Sequence, residues 1–168
     1  RLNEVVFTNS HLDKADLASL QLSLGQIPYS SISRFFSVPS VPNFKIRCNL
    51  KLPNVEGEFE SLLDDLLFEH IPTCYVEDYL NTNQKSLKTF SKAPKVIFTA
   101  SVSETEELKF WMAFHAEKGV KLVVNQHGGG YGSHLWSHHE SHEKKISDHY
   151  FSWGWKDNGF SNIIPMAS

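Results

Sequence analysis

His127 stands where a β-forming run, Val120 to Val124, meets Gly128, Gly129, Gly130, Tyr131 and Gly132. Glycine lets a backbone come close to another group and adopt positive φ at little steric cost. An imidazole at such a point can donate to a phosphate or to an oxygen on a sugar or leaving group. It can equally satisfy a backbone carbonyl in a tight turn. Gln126 flanks it on the strand side, and Glu140, Glu143 and Asp148 follow within about a turn and a helix. Glu140 and Glu143 are three apart, so a helix carries them on one face. Two carboxyls with separated pKa values can divide acid and base work in sugar chemistry, whereas on a solvated face they merely pair with Lys144 and Lys145.

Other chemistries fit less well. The glycines lack the G-x-G-x-x-G spacing of a dinucleotide loop, and no Gly-Lys-Ser/Thr follows to make a Walker loop. His138 and His142 have the i,i+4 spacing that can offer two imidazoles to a metal. The order His138-His139-Glu140-Ser141-His142 is not H-E-x-x-H, however, and no third ligand suggests itself. No metal site and no cofactor is therefore expected. No Ser or Cys sits in a nucleophile elbow. Trp153 and Trp155, on either side of Gly154, serve as sheet-edge packing or as a platform for a sugar ring.

These groups need a frame. Val96 to Thr99 is a short apolar run of β-formers. Ser103 and Glu106 have capping-box spacing, and the helix they open puts Leu108, Trp111, Met112 and His115 on one face. Gly119 ends it, and Val120 to Val124 begins the next strand. Strand, helix, strand in this order predicts a βαβ unit with parallel strands and a right-handed crossover. A polar helix from Ser137 or His138 to about Ile146 and a strand over 149–153 extend it. Ligands in such sheets sit beyond the carboxyl ends of the strands.

The rest is less sharply patterned. Val5 to Phe7 reads as a strand, with Asn9 or Ser10 capping a helix through Leu22. Pro28, Pro39 and Pro42 punctuate an irregular connection. Phe59, Leu62, Leu63, Leu66, Leu67 and Ile71 share a helical face that Pro72 ends, Tyr75 to Leu80 forms a short helix, and Asn81 to Pro94 reads as a surface connection. The division is an irregular or helical segment over 1–54, a Rossmann-like α/β domain over 55–160, and the start of an interdomain connector over 161–168.

Composition sets the outer bounds. The chain has 168 residues, 40% hydrophobic and 21% charged, with a formal net charge of −3. That is an ordinary globular balance without the basic footprint of a nucleic-acid binder. Cys48 and Cys74, with no C-x-x-C spacing, suit reduced thiols in the cytoplasm rather than a disulfide scaffold. No apolar run approaches the length of a membrane span. The chain opens on Arg1 rather than methionine, which suggests a piece of a longer reading frame.

Taken together, Gln126-His127-Gly128-Gly129-Gly130-Tyr131-Gly132, Glu140-Ser141-His142-Glu143, Ile146-Ser147-Asp148 and Trp153-Gly154-Trp155 resemble a bacterial sugar-transferase family of surface-polysaccharide (O-antigen and capsule) clusters. That family is distantly similar to capsule-type ulosonic-acid (Kdo) transferases. Ile71-Pro72, Tyr75, Glu77 and the strand Val96 to Thr99 also match, so the resemblance spans roughly 45–168. It implies the N-terminal half of a two-domain GT-B enzyme, with the other half of the same protein as partner. The reaction implied is sugar transfer from a nucleotide-sugar donor to a glycan acceptor, in the cytoplasm or peripheral to the inner membrane. Glu140, Glu143 or Asp148 would act as base or nucleophile, His127 would stabilise the departing group, and Gln126 and Gly128 to Gly132 would line the substrate. A non-catalytic nucleotide- or sugar-binding module and a metal-dependent hydrolase built on the histidines are the alternatives.

Overall fold

A computed structural model describes residues 4–29, 40–89 and 94–166; Pro39 and residues 90–93 of the expected connections lie outside these. Five strands form one all-parallel sheet, β1 (Val5–Thr8), β2 (Val96–Thr99), β3 (Lys121–Asn125), β4 (His149–Ser152) and β5 (Ile163–Pro165), in the spatial order of the sequence. The architecture is α/β and consistent with a Rossmann-like fold. In-register pairs run across it, Val6 with Ile97, Ile97 with Leu122, Val124 with Tyr150 and Tyr150 with Ile163.

Strand alternation then sorts the side chains. Val6, Ile97, Leu122, Val124, Tyr150 and Ile163 share a core with Leu108, Trp111 and Met112 of helix α5 (numbered in chain order with those below; Glu106–Ala116). Trp111 is fully buried there. Right-handed crossovers that always step the same way along a sheet place their helices on one face, which accounts for α5 and for α6 (His138–Ile146). Phe7, Phe98 and Phe151 lie on the opposite face, with ring centroids 5.4 and 6.1 Å apart along the row.

The helices begin and end for local reasons. Thr105, not the expected Ser103, caps α5, its hydroxyl accepting from the Leu108 amide at 3.2 Å. Glu106 and Glu107 then favour the positive end of the helix dipole. At the other end Gly119 takes φ +81°, and the Val120 amide returns to the His115 carbonyl. Helix α1 (Lys14–Ser23) is capped by Asp13 rather than by Asn9 or Ser10, because the Asp13 carboxylate accepts from the Ala15 and Asp16 amides, each at 2.8 Å.

Three other expectations change. Residues 81–89, read as part of a surface connection, belong to helix α4 (Tyr79–Thr89), which packs against α5 and buries the small side chains of Thr82 and Ser86. The segment is polar on average, with apolar side chains only at Tyr79, Leu80 and Leu87, which is why it reads as a connection although its periodicity is helical. Of the short helix expected over 75–80, Tyr75 closes a 3-10 turn (Thr73–Tyr75) and Tyr79 and Leu80 open α4. Helix α3 (Glu58–His70) is present, but its leucine face looks outward, and Phe59 is 72% exposed. Its buried member is Asp64, which accepts from the Leu52 amide and pairs with Lys51.

Two observations bear on the domain bounds. β1, from within residues 1–54, is a strand of the main sheet, and Ile163–Pro165, placed at the start of a connector, pair with β4 as β5. Arg47, in the short helix α2 (Phe44–Arg47), binds Glu77 through two nitrogens at 2.7 and 2.8 Å and also donates to the carbonyls of Phe68 and Glu69. This pairing holds the Glu77 carboxyl down at about 2.

Candidate functional site

The carboxyl ends of β1, β2 and β3 converge on one edge of the sheet. After β3 the chain leaves through Gln126, whose side chain is buried and fully occupied. Its amide nitrogen donates to the Gly128 carbonyl at 2.7 Å, while its oxygen accepts from the Trp153 amide and the Trp155 indole at 2.9 and 2.8 Å. Gln126 therefore ties the glycine turn to the segment after β4. This bracing lies at the same strand end where the sequence places Gln126 against substrate.

The glycines divide in the same way. Gly132 has φ +76°, and a Cβ there would lie 2.8 Å from the Trp155 indole. At Gly130 a Cβ would fall 2.5 Å from the His134 ring. Both close approaches are to the protein's own aromatic rings. Gly129 has open space beside it, and Gly128 meets only Tyr131 at ordinary contact distance.

His127 follows Gln126 into this edge with a partly open side chain. Its Nδ1 is 3.9 Å from Oε1 of Glu143, and its Nε2 is 3.4 Å from the Tyr131 hydroxyl. Glu143 projects from α6 into the interior and is 1% exposed; its Oε2 has no hydrogen-bond partner among the described residues. Burial raises the Glu143 carboxyl to about 7; the Tyr131 hydroxyl opposes this and the Glu140 charge adds to it. Burial also lowers the His127 imidazole, helped by His11 and His139, while its hydrogen bond to the Ala100 backbone works the other way. Both shifts favour the uncharged pair, the carboxyl keeping its proton and the imidazole losing its own.

One member of this cluster had no sequence signal. His11 follows β1 and stacks on His127 with ring centroids 5.7 Å apart. The backbone that brings it there is strained, with Asn9 at φ 44° and His11 at φ 57°. Non-glycine residues in this region cost roughly 1 kcal/mol or more each, and such outliers gather at functional sites. The Asn9 amide nitrogen and the Thr8 hydroxyl are buried beside them without partners among the described residues. A strand end followed by His-Leu-Asp carries no motif, and only the parallel pairing of β1 with β2 brings it to this edge.

The remaining carboxylates each hold internal partners. Glu140 accepts from the Gly132 amide and from Lys144, both at 2.9 Å, and Lys144 also reaches Asp157 at 2.8 Å. Glu140 thus anchors the glycine turn to α6. Asp148 precedes β4, pairs with Lys121 at 2.6 Å and accepts from the Leu122 amide. Gln126 is four residues beyond Leu122, so roughly 13 Å of strand separates Asp148 from the imidazole edge. The structure brings together His127, Tyr131 and Glu143, sets Glu140 beside them, and leaves Asp148 at the opposite edge. Among the described residues no group of three or more His, Cys, Asp or Glu is arranged to hold a metal ion. His138 and His139 lie against each other, with centroids 4.0 Å apart.

The fold is a parallel α/β sheet, the class in which ligands sit beyond the carboxyl ends of the strands, and His127 and Glu143 meet at that edge. The chain belongs to the LIC12162 family of transferases, whose family model matches residues 1–168. No curated protein and no solved structure matches the chain. No helix among the described residues is long and apolar enough to cross a membrane.

Proposed function

We propose that this transferase moves a sugar from a nucleotide-activated donor to a surface glycan, and that the chain forms the N-terminal half of a GT-B enzyme. Family membership supports group transfer, and the motif resemblance supports the sugar. The observation that carries the mechanism is the 3.9 Å approach of His127 Nδ1 to Glu143 Oε1 at the open edge of the sheet. His127, the accessible member, meets the acceptor. Its lowered affinity for protons leaves it neutral and able to act as a base near neutrality. The acceptor oxygen attacks the anomeric carbon and gives its proton to His127. The bond to the donor phosphate oxygen breaks, and the nucleotide leaves with the electron pair. Glu143, too buried to touch substrate, orients the imidazole and stabilises its charged form, so it is a positioning residue.

His127→Ala tests this in the transfer reaction with the complete protein. The expected loss is on the order of a hundredfold or more in kcat, with an unchanged circular dichroism spectrum. Undiminished transfer would leave the chain a binding module rather than the catalytic half.

A further inference from the structure

On the far side of the glycine turn from His127 lies a cavity of about 510 Å³, and we infer that it is a binding subsite for an uncharged sugar ring of a glycan. The inference rests on the reading of this protein as a glycan-directed transferase and names a subsite for it. The wall is made by the first turn of α6, the loop before it, and the β4–β5 connection, the one crossover among the described residues after β2 that contains no helix. That segment contributes Trp155, Lys156, Asp157 and Asn158 to the lining.

The lining has the two components that a sugar ring requires. Trp136 supplies an apolar plate, 76% exposed and set against the His138 ring at 5.8 Å. An indole left open beside polar groups suits the C–H face of a pyranose, whose edge carries hydroxyls. Around the plate stand Ser141, Asn158 and Lys156, none of which makes a side-chain hydrogen bond within the described residues. They offer a hydroxyl, an amide that both donates and accepts, and an ammonium.

Charge selects among ligands. The buried Lys144 lies between Glu140 and Asp157, and Lys156 adds a second ammonium, so these four lining groups carry no net charge. An anionic diphosphate would find no excess of positive charge here, whereas sugar hydroxyls can pair with groups of either sign. Tyr131 faces His127 while its neighbour Gly132 lines the cavity, so a ring held here sits one turn of backbone from the proposed base.

Saturation-transfer NMR with the methyl glycosides of glucose, galactose, mannose and N-acetylglucosamine tests the assignment, with uridine diphosphate as the charged competitor. At least one glycoside is expected to receive saturation at its ring protons and to resist displacement by the diphosphate. Trp136→Ala and Asn158→Ala, both on exposed positions, should each weaken it by roughly tenfold. Absence of saturation for every glycoside, or wild-type affinity in both variants, overturns the subsite; displacement by the diphosphate overturns its uncharged specificity. His127→Ala should bind glycosides normally. If it abolishes transfer while no glycoside binds, the catalytic reading stands and the subsite falls; if glycosides bind and transfer is undiminished, the reverse holds.

Discussion

Glu143 shows how one placement turns an ordinary carboxyl into a titrating device. Its proton is held up to about 7 in the folded chain, against an ordinary value of 4.5. The folded protein therefore keeps a proton that the unfolded chain has already released. That contribution to stability is complete below 4.5 and lost as the pH rises through about 7. Glu143→Gln removes the titration and keeps the shape. Urea denaturation should find the variant gaining on the native protein as pH rises, by at most on the order of 3 kcal/mol, with no further gain above the folded value. A constant gap at all pH values would contradict the assignment.

His127 works in the opposite sense. Its depressed affinity gives stability present above the ordinary 6.5 and lost as the pH falls through the folded value. In the proposed mechanism the neutral imidazole is also the form that acts as base. Transfer activity should therefore fall in two steps as the pH drops, first as Glu143 takes its proton at about 7 and then below 6.5 as His127 takes one. An activity that rises on acidification would instead make the protonated form the working one.

At the scale of elements, the glycine turn is fixed by what surrounds it. Gln126 fastens one end to Trp153 and Trp155, Glu140 fastens the other to α6, and Gly132 lies flat on the Trp155 indole. Gly132→Ala meets both a left-handed backbone and an indole at 2.8 Å, so thermal unfolding should show a loss of roughly 3 kcal/mol. Gly129→Ala, with open space and no positive φ, should cost under about 1 kcal/mol. The contrast matters more than either value, since equal losses would mean that the turn is not held by Trp155.

Across the whole molecule, the edge that carries His127 depends on a core built mainly by α5 against one face of the sheet. Trp111, fully enclosed among Val6, Ile97, Val124 and Tyr150, is its largest member. Trp111→Ala should cost about 3–5 kcal/mol in denaturant unfolding. Because the strands share that core, His127 and His11 should lose their fixed relation in the same transition.

The βαβ unit was legible from the order of residues, because β-forming runs flank a segment that carries Leu108, Trp111, Met112 and His115 together, and Gly119 and Ser137 punctuate it. Placement of His127 at a strand end followed from the same pattern, and so did the shared face of Glu140 and Glu143. Sequence spacing could not tell which of two buried carboxyls would hold a cation. Glu140 pairs with Lys144 and accepts from the Gly132 amide, while among the described residues no lysine or arginine pairs with Glu143 and burial raises its carboxyl to about 7. Nor could spacing separate Asp148 from the site, since a strand of five residues carries the chain from one edge of the sheet to the other. His11 entered for the converse reason, as parallel pairing joins strand ends that are more than a hundred residues apart in the chain. The order of residues thus set the elements and their chemical repertoire. Tertiary packing assigned the roles, because desolvation and charge pairing depend on neighbours that local sequence does not name.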